Sequence, residues 1–372
     1  MDKPTVFLLV GGAGSGRVER ALRYAHQAAA RDLLHRLLQT KLISRAVLAT
    51  DDSTWAETLA DLPVTVDLDP PRETFHFGQR LADLIERYGA RRVLYSGGAS
   101  APLMDVSGWE YVLRRLAEEE RLVITNNVHS CDWLGITPVD DAMPWIARAA
   151  SDNALAWQLA NQGGFPVEDL PVSAATRFDL DTPLDLLMVH RHPGIGPHLR
   201  VFLDGLGWQV PQLDLILAEM RREGGSLTVV GRVSSAAWMA LERGTRCWVR
   251  VFAEERGMRA SGRQSRGEVR SLLSDYIDLL GVQNFFEELA SLTNGVFFDN
   301  RVLLAARGLW PSAVDRFNSD LCRWQDVQEP FLRQFTQAAA EAPVPILLGG
   351  HSVVAGGLMA LLESVATGKV DH

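Results

Sequence analysis

The groups best suited to chemistry sit in one short stretch: Gly11, Gly12, Gly14, Ser15 and Gly16, followed at once by Arg17. Glycines without Cβ can adopt positive φ and bring several backbone N–H groups close to an anion. A helix starting at this point adds its partial positive charge. The run Val6-Phe7-Leu8-Leu9-Val10 before it is apolar and too short for a helix, so it reads as a buried strand. Strand, glycine turn and helix start together suit a nucleotide or sugar phosphate, while a plain strand-to-helix turn is the alternative. The spelling separates known phosphate loops. A dinucleotide fingerprint starting at Gly12 meets Arg17 where its last glycine belongs. A Walker A frame from Gly11 to Gly16 finds Arg17-Val18 in place of lysine and hydroxyl.

Several other groups could bind or react. Gly97, Gly98 and Ser100 follow a second apolar run, with Ala99 between them, and Asn126, Asn127 and His129 follow a third, where they could hold an acceptor or a base, or cap turns. Gly349-Gly350-His351-Ser352 close a late apolar run and suggest a second phosphate or carboxylate pocket, or a glycine turn with Ser352 capping a helix. They do not make a hydrolase nucleophile elbow. Val354 replaces the closing glycine, and only Asp371 and His372 follow to complete a triad. Acids beside arginines in Phe298-Asp299-Asn300-Arg301 and in 315–320 read as buried ion pairs or as a pocket for a small charged ligand. Gly231-Arg232-Val233-Ser234-Ser235 is a further candidate anion turn.

Three segments carry a family resemblance. The opening resembles the L-x-G-G-x-G-x-R start of nucleotidyltransferases with a glycosyltransferase-A-like fold, with the arginine one residue late. Phe178-Asp179-Leu180-Asp181-Thr182-Pro183-Leu184-Asp185-Leu186 resembles their D-[IL]-D-T-P-x-D-L signature, and Gly97-Gly98-Ala99-Ser100-Ala101-Pro102-Leu103 their G-G-D-x-P-L loop. The pattern resembles that of molybdenum cofactor guanylyltransferases and 2-phospholactate guanylyltransferases, over about residues 5 to 190.

The resemblance implies transfer of a nucleoside monophosphate from a triphosphate to a small phosphorylated or carboxylated acceptor, with release of pyrophosphate. Arg17, Asp179 and Asp181 would be catalytic, and Gly11, Gly12, Gly14, Ser15, Gly16, Gly97, Gly98 and Ser100 would bind nucleotide. Asp179 and Asp181 would hold Mg2+ or Mn2+. Two departures keep a second reading open. Ala99 stands where the family has a metal aspartate, and the lysine expected about ten residues beyond the glycine turn is missing, with Arg20, Arg23 and His26 in that region. The alternative is a catalytically degenerate nucleotide- or sugar-phosphate-binding module with a sensing or scaffold role. Asp105 or Asp132 are the substitutes for the missing metal aspartate.

The elements that must position these groups follow from pattern. Strand and helix signals alternate through the first half: helix over 20–39, strands over 45–50, 62–68, 91–96 and 121–125, and helices over 76–88 and 107–120. This predicts a mostly parallel sheet between helices, with ligands beyond its carboxyl ends. The connector His192-Pro193-Gly194-Ile195-Gly196-Pro197 divides a nucleotidyltransferase-like domain, 1–192, from a smaller helix-rich α/β domain, 198–372, with strands at 227–230, 247–252 and 345–348. Asp51 and Asp52 are expected to cap a helix, Asp185 to cap or face solvent, and His76 to pack at an aromatic edge.

Composition sets limits. The 372 residues are 47% hydrophobic and 22% charged, ordinary for a globular protein. A formal net charge of -9 opposes general nucleic-acid binding, and acids are interleaved with the basic run Arg259, Arg263, Arg266, Arg270. Three distant cysteines speak against a disulfide framework and for a reducing compartment. The chain runs from Met-Asp-Lys-Pro straight into a strand and has no membrane-length apolar run, so neither signal peptide nor membrane span is expected, and a cytoplasmic location is. The expected partners are a nucleoside triphosphate or nucleotide sugar and a small anionic acceptor; a homodimer is one candidate assembly, and the sequence leaves the oligomeric state open.

Overall fold

A computed structural model describes residues 2–12, 14, 16–70, 75–259 and 261–367. The chain forms two compact units: Met1–Gly14 with Arg23–Asp179 and Gly196–Phe202, and Ser15–Leu22 with Leu180–Ile195 and Leu203–His372.

The first unit holds strands β1 (Thr5–Val10), β2 (Arg45–Thr50), β3 (Thr65–Leu68), β4 (Val93–Gly97), β5 (Leu122–Thr125), β6 (Trp133–Thr137) and β7 (Val167–Asp169). They form one sheet in the order β3-β2-β1-β4-β6-β5-β7. All neighbours run parallel except β6, which is antiparallel to β4 and β5. The central strands read as unbroken apolar runs because both faces are covered. On β1, Phe7 enters one core with Val47, Leu81, Tyr95 and Ile136. Its neighbours Val6 and Leu8 enter the opposite core with Leu34, Leu48, Trp109 and Trp133.

Helices cover both faces, and local chemistry fixes their ends. Helix Val106–Glu118 buries Trp109, Val112, Leu113 and Leu116 on one stripe, and the Asp105 carboxylate caps it by accepting from Gly108 N at 2.8 Å. Helix Phe77–Tyr88 starts at His76, whose Nδ1 accepts from Gln79 N, and stops at Gly89 with φ of 60°. His76 is therefore a cap rather than a packed aromatic edge. The long helix Arg17–Gln39 begins three residues before the predicted start.

The second unit carries β8 (Ser226–Gly231), β9 (Trp248–Ala253), β10 (Gly295–Asp299) and β11 (Ile346–Gly349), all parallel, in the order β11-β10-β8-β9. One core on this sheet gathers Phe286, Phe298 and Phe335 with Val296, Ile346 and Leu348. Phe286 and Phe335 approach to 4.9 Å between ring centroids, Phe298 and Phe335 to 5.4 Å, in the tilted and edge-on geometries aromatic pairs favour. The sequence reading has no counterpart for β6, β7 or β10. Ser352 does not cap a helix: it lies in a 3-10 turn, His351–Val354, ahead of helix Gly356–Thr367.

Candidate functional site

In the first sheet the chain steps from β1 to β2 to β3 on one side, then returns to β4 on the other side of β1. The connections leaving β1 and β4 therefore diverge, which opens a crevice beyond the carboxyl ends of these two strands. Gly11, Gly12 and Gly14 follow β1, and all three are exposed. Gly14 has φ of 127°, a conformation that side chains with a Cβ rarely adopt. Gly97 ends β4, and Gly98 N donates to Leu9 O at 3.2 Å. A Cβ on Gly98 would stand 2.7 Å from Val10 Cγ2, so this turn lies directly on β1. Ser15 falls outside the described residues.

Arg23 anchors the glycine turn. Its Nη1 donates to Gly12 O at 3.4 Å and its Nη2 to Asp51 Oδ1 at 3.1 Å, with Asp52 Oδ2 at 3.4 Å. Asp52 also caps helix Ser53–Glu57 through Trp55 N at 2.9 Å, and that backbone hydrogen bond, with Gln27 and Arg23, holds its carboxyl below the usual carboxylate range. In the sequence Arg23 stands out only as one of the basic residues, with Arg20 and His26, in the region of the missing lysine.

Next to the β4 turn lies a polar knot. Ser100 Oγ donates to Asp132 O at 2.9 Å, and Gly97 N points to the same carbonyl at 3.3 Å. Asn126 is buried; its Nδ2 donates to Asp132 Oδ2 at 2.6 Å, and its Oδ1 accepts from Asp132 N at 3.1 Å. Asp179 forms an isolated antiparallel bridge with Ser100. Ser100, Asn126, Asp132 and Asp179 are thus brought together. Asn127 is occupied in a turn, its Oδ1 accepting from His129 N at 3.2 Å, and His129 is exposed. Asp105 serves as a helix cap.

The remaining candidates group with the second unit. Arg17, the first residue of its helix, is exposed, and Gly16 N donates to Glu19 Oε2 at 2.9 Å. Asp181 is exposed and Thr182 buried. Helix Pro183–His190 starts with Thr182 N donating to Asp185 Oδ2 at 2.7 Å. Burial and the neighbouring Asp181 push the Asp185 carboxyl up to about 8. Gly349 ends β11, with Gly350, His351 and Ser352 just beyond it. Within the basic run after β9, Arg263 pairs with Glu255 at 2.7 Å and Arg266 with Glu268 at 2.8 Å.

Among the described residues no group of three or more His, Cys, Asp or Glu side chains is placed to hold a metal. Magnesium bound through a ligand's phosphates needs only one or two carboxylates, and the exposed Asp181 suits that donor chemistry. No described helix is long and apolar enough to cross a membrane.

No family model matches the chain, and no curated protein does. Solved structures with similar segments include a nucleotidyl transferase from Methanothermobacter thermautotroptrophicus, 14% identical over 54% of this chain and 98% of that one, with a TM-score of 0.38. A cytidylyltransferase from Leptospira borgpetersenii serovar Hardjo-bovis is 17% identical over 46% of this chain and 76% of that one, TM-score 0.36. CMP:2-keto-3-deoxy-manno-octonic acid synthetase complexed with CTP is 13% identical over 50% of this chain and 97% of that one, TM-score 0.36. Likeness at this level carries no argument about activity, and the fold stands on the strand order and direction given above.

Proposed function

We propose that this chain is a nucleotidyltransferase, similar to the guanylyltransferases its opening and Asp179 segments resemble, that joins a nucleoside monophosphate to a small phosphorylated or carboxylated acceptor. One observation carries the reading: the glycine turn after β1 and the Gly97–Gly98 turn after β4 flank the point where the strand order of the first sheet reverses. Backbone amides of Gly11, Gly12 and Gly14 would hold the β- and γ-phosphates, with the Arg17 guanidinium countering their charge. An acceptor oxygen lone pair attacks the α-phosphorus, the bond to the bridging oxygen breaks, and pyrophosphate leaves with that electron pair. Magnesium or manganese, when bound through Asp181 and Asp179, would neutralise charge on the transferred phosphoryl group. Asn126, Asn127 and His129 would face the base or acceptor. Residues 1–192 are proposed as the nucleotidyltransferase domain and 198–372 as a separate α/β domain, with a cytoplasmic location and a homodimer as one candidate assembly.

Ala99 favours a second reading, a module that binds nucleotide without transferring it. Pyrophosphate release from each nucleoside triphosphate, with pools of phosphorylated and carboxylated acceptors, separates the two. An enzyme releases pyrophosphate as wild type and loses at least ten-fold in rate as Asp181→Ala. A binding module is thermally stabilised by nucleotide without release, and there Ala99→Asp tightens magnesium-dependent binding. No stabilisation by any nucleotide with magnesium or manganese overturns both readings.

A further inference from the structure

In the second sheet, too, the strand order reverses: the chain goes from β8 outward to β9, then back across to β10 and β11. The crevice here lies beyond the carboxyl ends of β8 and β10. Arg232, just past β8, spans it: Nε donates to Asp299 Oδ2 at 2.6 Å and Nη2 to Asp299 Oδ1 at 3.0 Å. The backbones are pressed together at this point, since a Cβ on Gly231, with φ of 120°, would stand 2.6 Å from Asp299 Cβ. Beside the pair, desolvation and the Arg232 charge pull the His351 imidazole down to about 4, which leaves it neutral at pH 7.

A second buried pair adjoins the first. Arg301, 5% exposed, donates Nη2 to Asp320 Oδ2 at 2.6 Å and Nη1 to Asn300 Oδ1 at 2.5 Å. Asn300 and Asp320 are both 0% exposed, yet Asn300 Nδ2 and Asp320 Oδ1 have no hydrogen-bond partner among the described residues. A buried polar atom left this way costs roughly 1–3 kcal/mol, and such atoms are rare in native interiors. Here an amide donor and a carboxylate acceptor, held by the same arginine, are both unsatisfied.

Positive charge is in excess around them. Arg259 and Arg316 both lie over the Trp310 ring, at 4.7 and 4.9 Å from its centroid. Neither has a carboxylate within ion-pair distance among the described residues. Burial lowers the pKa of both, Arg232 and Arg301 lower that of Arg259 further, and Arg301 and Arg259 that of Arg316; the acids in range are Asp181 for Arg259 and Asp320 for Arg316. A guanidinium is a planar fork matched to phosphate oxygens, whereas a buried amide N–H and a free carboxylate lone pair match hydroxyl groups.

We propose that the carboxyl end of the second unit's sheet is a binding site for a small phosphorylated polyol of the sugar phosphate class, its phosphate on Arg259 and Arg316 and its hydroxyls on Asn300 and Asp320. The inference does not rest on nucleotide transfer and stands if that reading fails. Isothermal titration of the full chain with glucose 6-phosphate, ribose 5-phosphate and glycerol 3-phosphate tests it, with glucose, ribose, glycerol and inorganic phosphate as comparison probes. At least one phosphorylated probe should bind ten-fold or more tighter than both its parent polyol and inorganic phosphate. Arg259→Gln and Arg316→Gln should each weaken that binding ten-fold or more, Arg316→Lys less. Asn300→Ala should bring its affinity toward that of inorganic phosphate. Absence of any preference for the phosphorylated probes in the wild type overturns the proposal, a measurement that needs no variant to fold. Wild-type affinity in folded Arg259→Gln and Arg316→Gln overturns it as well.

Discussion

Asp185 shows how one side chain ties the Asp179 segment to stability. Its Oδ2 accepts from Thr182 N and so fixes the start of helix Pro183–His190, while burial and the nearby Asp181 push the carboxyl up to about 8. In the unfolded chain an aspartate titrates near 3.9. Between these values the native protein keeps a proton that the unfolded chain has released, so unfolding free energy falls as pH rises from about 4 to about 8. The slope for this one proton approaches about 1.4 kcal/mol per pH unit. Asp185→Asn keeps an oxygen for Thr182 N and removes the titration. Urea unfolding at pH 5 and pH 7.5 should show wild type losing more stability than Asp185→Asn over that interval. Equal losses in both proteins would show that Asp185 does not keep its proton in the native state.

Among the elements, glycines decide where strands and turns can meet. Gly98 rests on Val10, and a methyl group there would stand 2.7 Å from Val10 Cγ2 and 3.0 Å from Cγ1, both on a β-branched side chain with little room to yield. Gly98→Ala should therefore destabilise by roughly 1–3 kcal/mol, as overpacking does. Gly78, in helix Phe77–Tyr88, is more constrained: an added Cβ would lie 2.0 Å from the Ile146 carbonyl oxygen and 2.7 Å from that of Ala149. Chemical unfolding should rank Gly78→Ala below Gly98→Ala in stability, while nucleotide affinity falls only in Gly98→Ala. These contacts are not readable from sequence, although the strand-then-glycine punctuation that places Gly11 and Gly97 at strand ends is. The strand β10, Gly295–Asp299, is hidden because five residues buried on both faces show neither alternation nor a flanking glycine turn at their carboxyl end. The reversed direction of β6 is hidden because pairing depends on distant partners. The link from Asn126 to Asp132 and the one from Arg301 to Asp320 are likewise products of folding.

At the scale of the whole molecule, each unit has a parallel region whose strand order reverses once, and each reversal gathers polar groups of a different kind. In the first, backbone amides of exposed glycines prevail, next to β1 and β4. In the second, arginine side chains and buried, unsatisfied polar atoms prevail, next to β8 and β10. Main-chain amides select for the phosphate chain of a nucleotide regardless of what it carries, whereas side-chain forks with neighbouring amide and carboxylate groups select for a phosphate with hydroxyls at fixed distances. Hydrogen exchange of the full chain should keep the two apart. A nucleoside triphosphate with magnesium should slow exchange in the peptides covering 9–16 and 95–102, and a sugar phosphate in those covering 230–234, 298–303 and 349–354, because a ligand suppresses local opening only where it contacts the native state. Protection of both sets by either ligand alone would mean that a single site, rather than two, is formed from these loops.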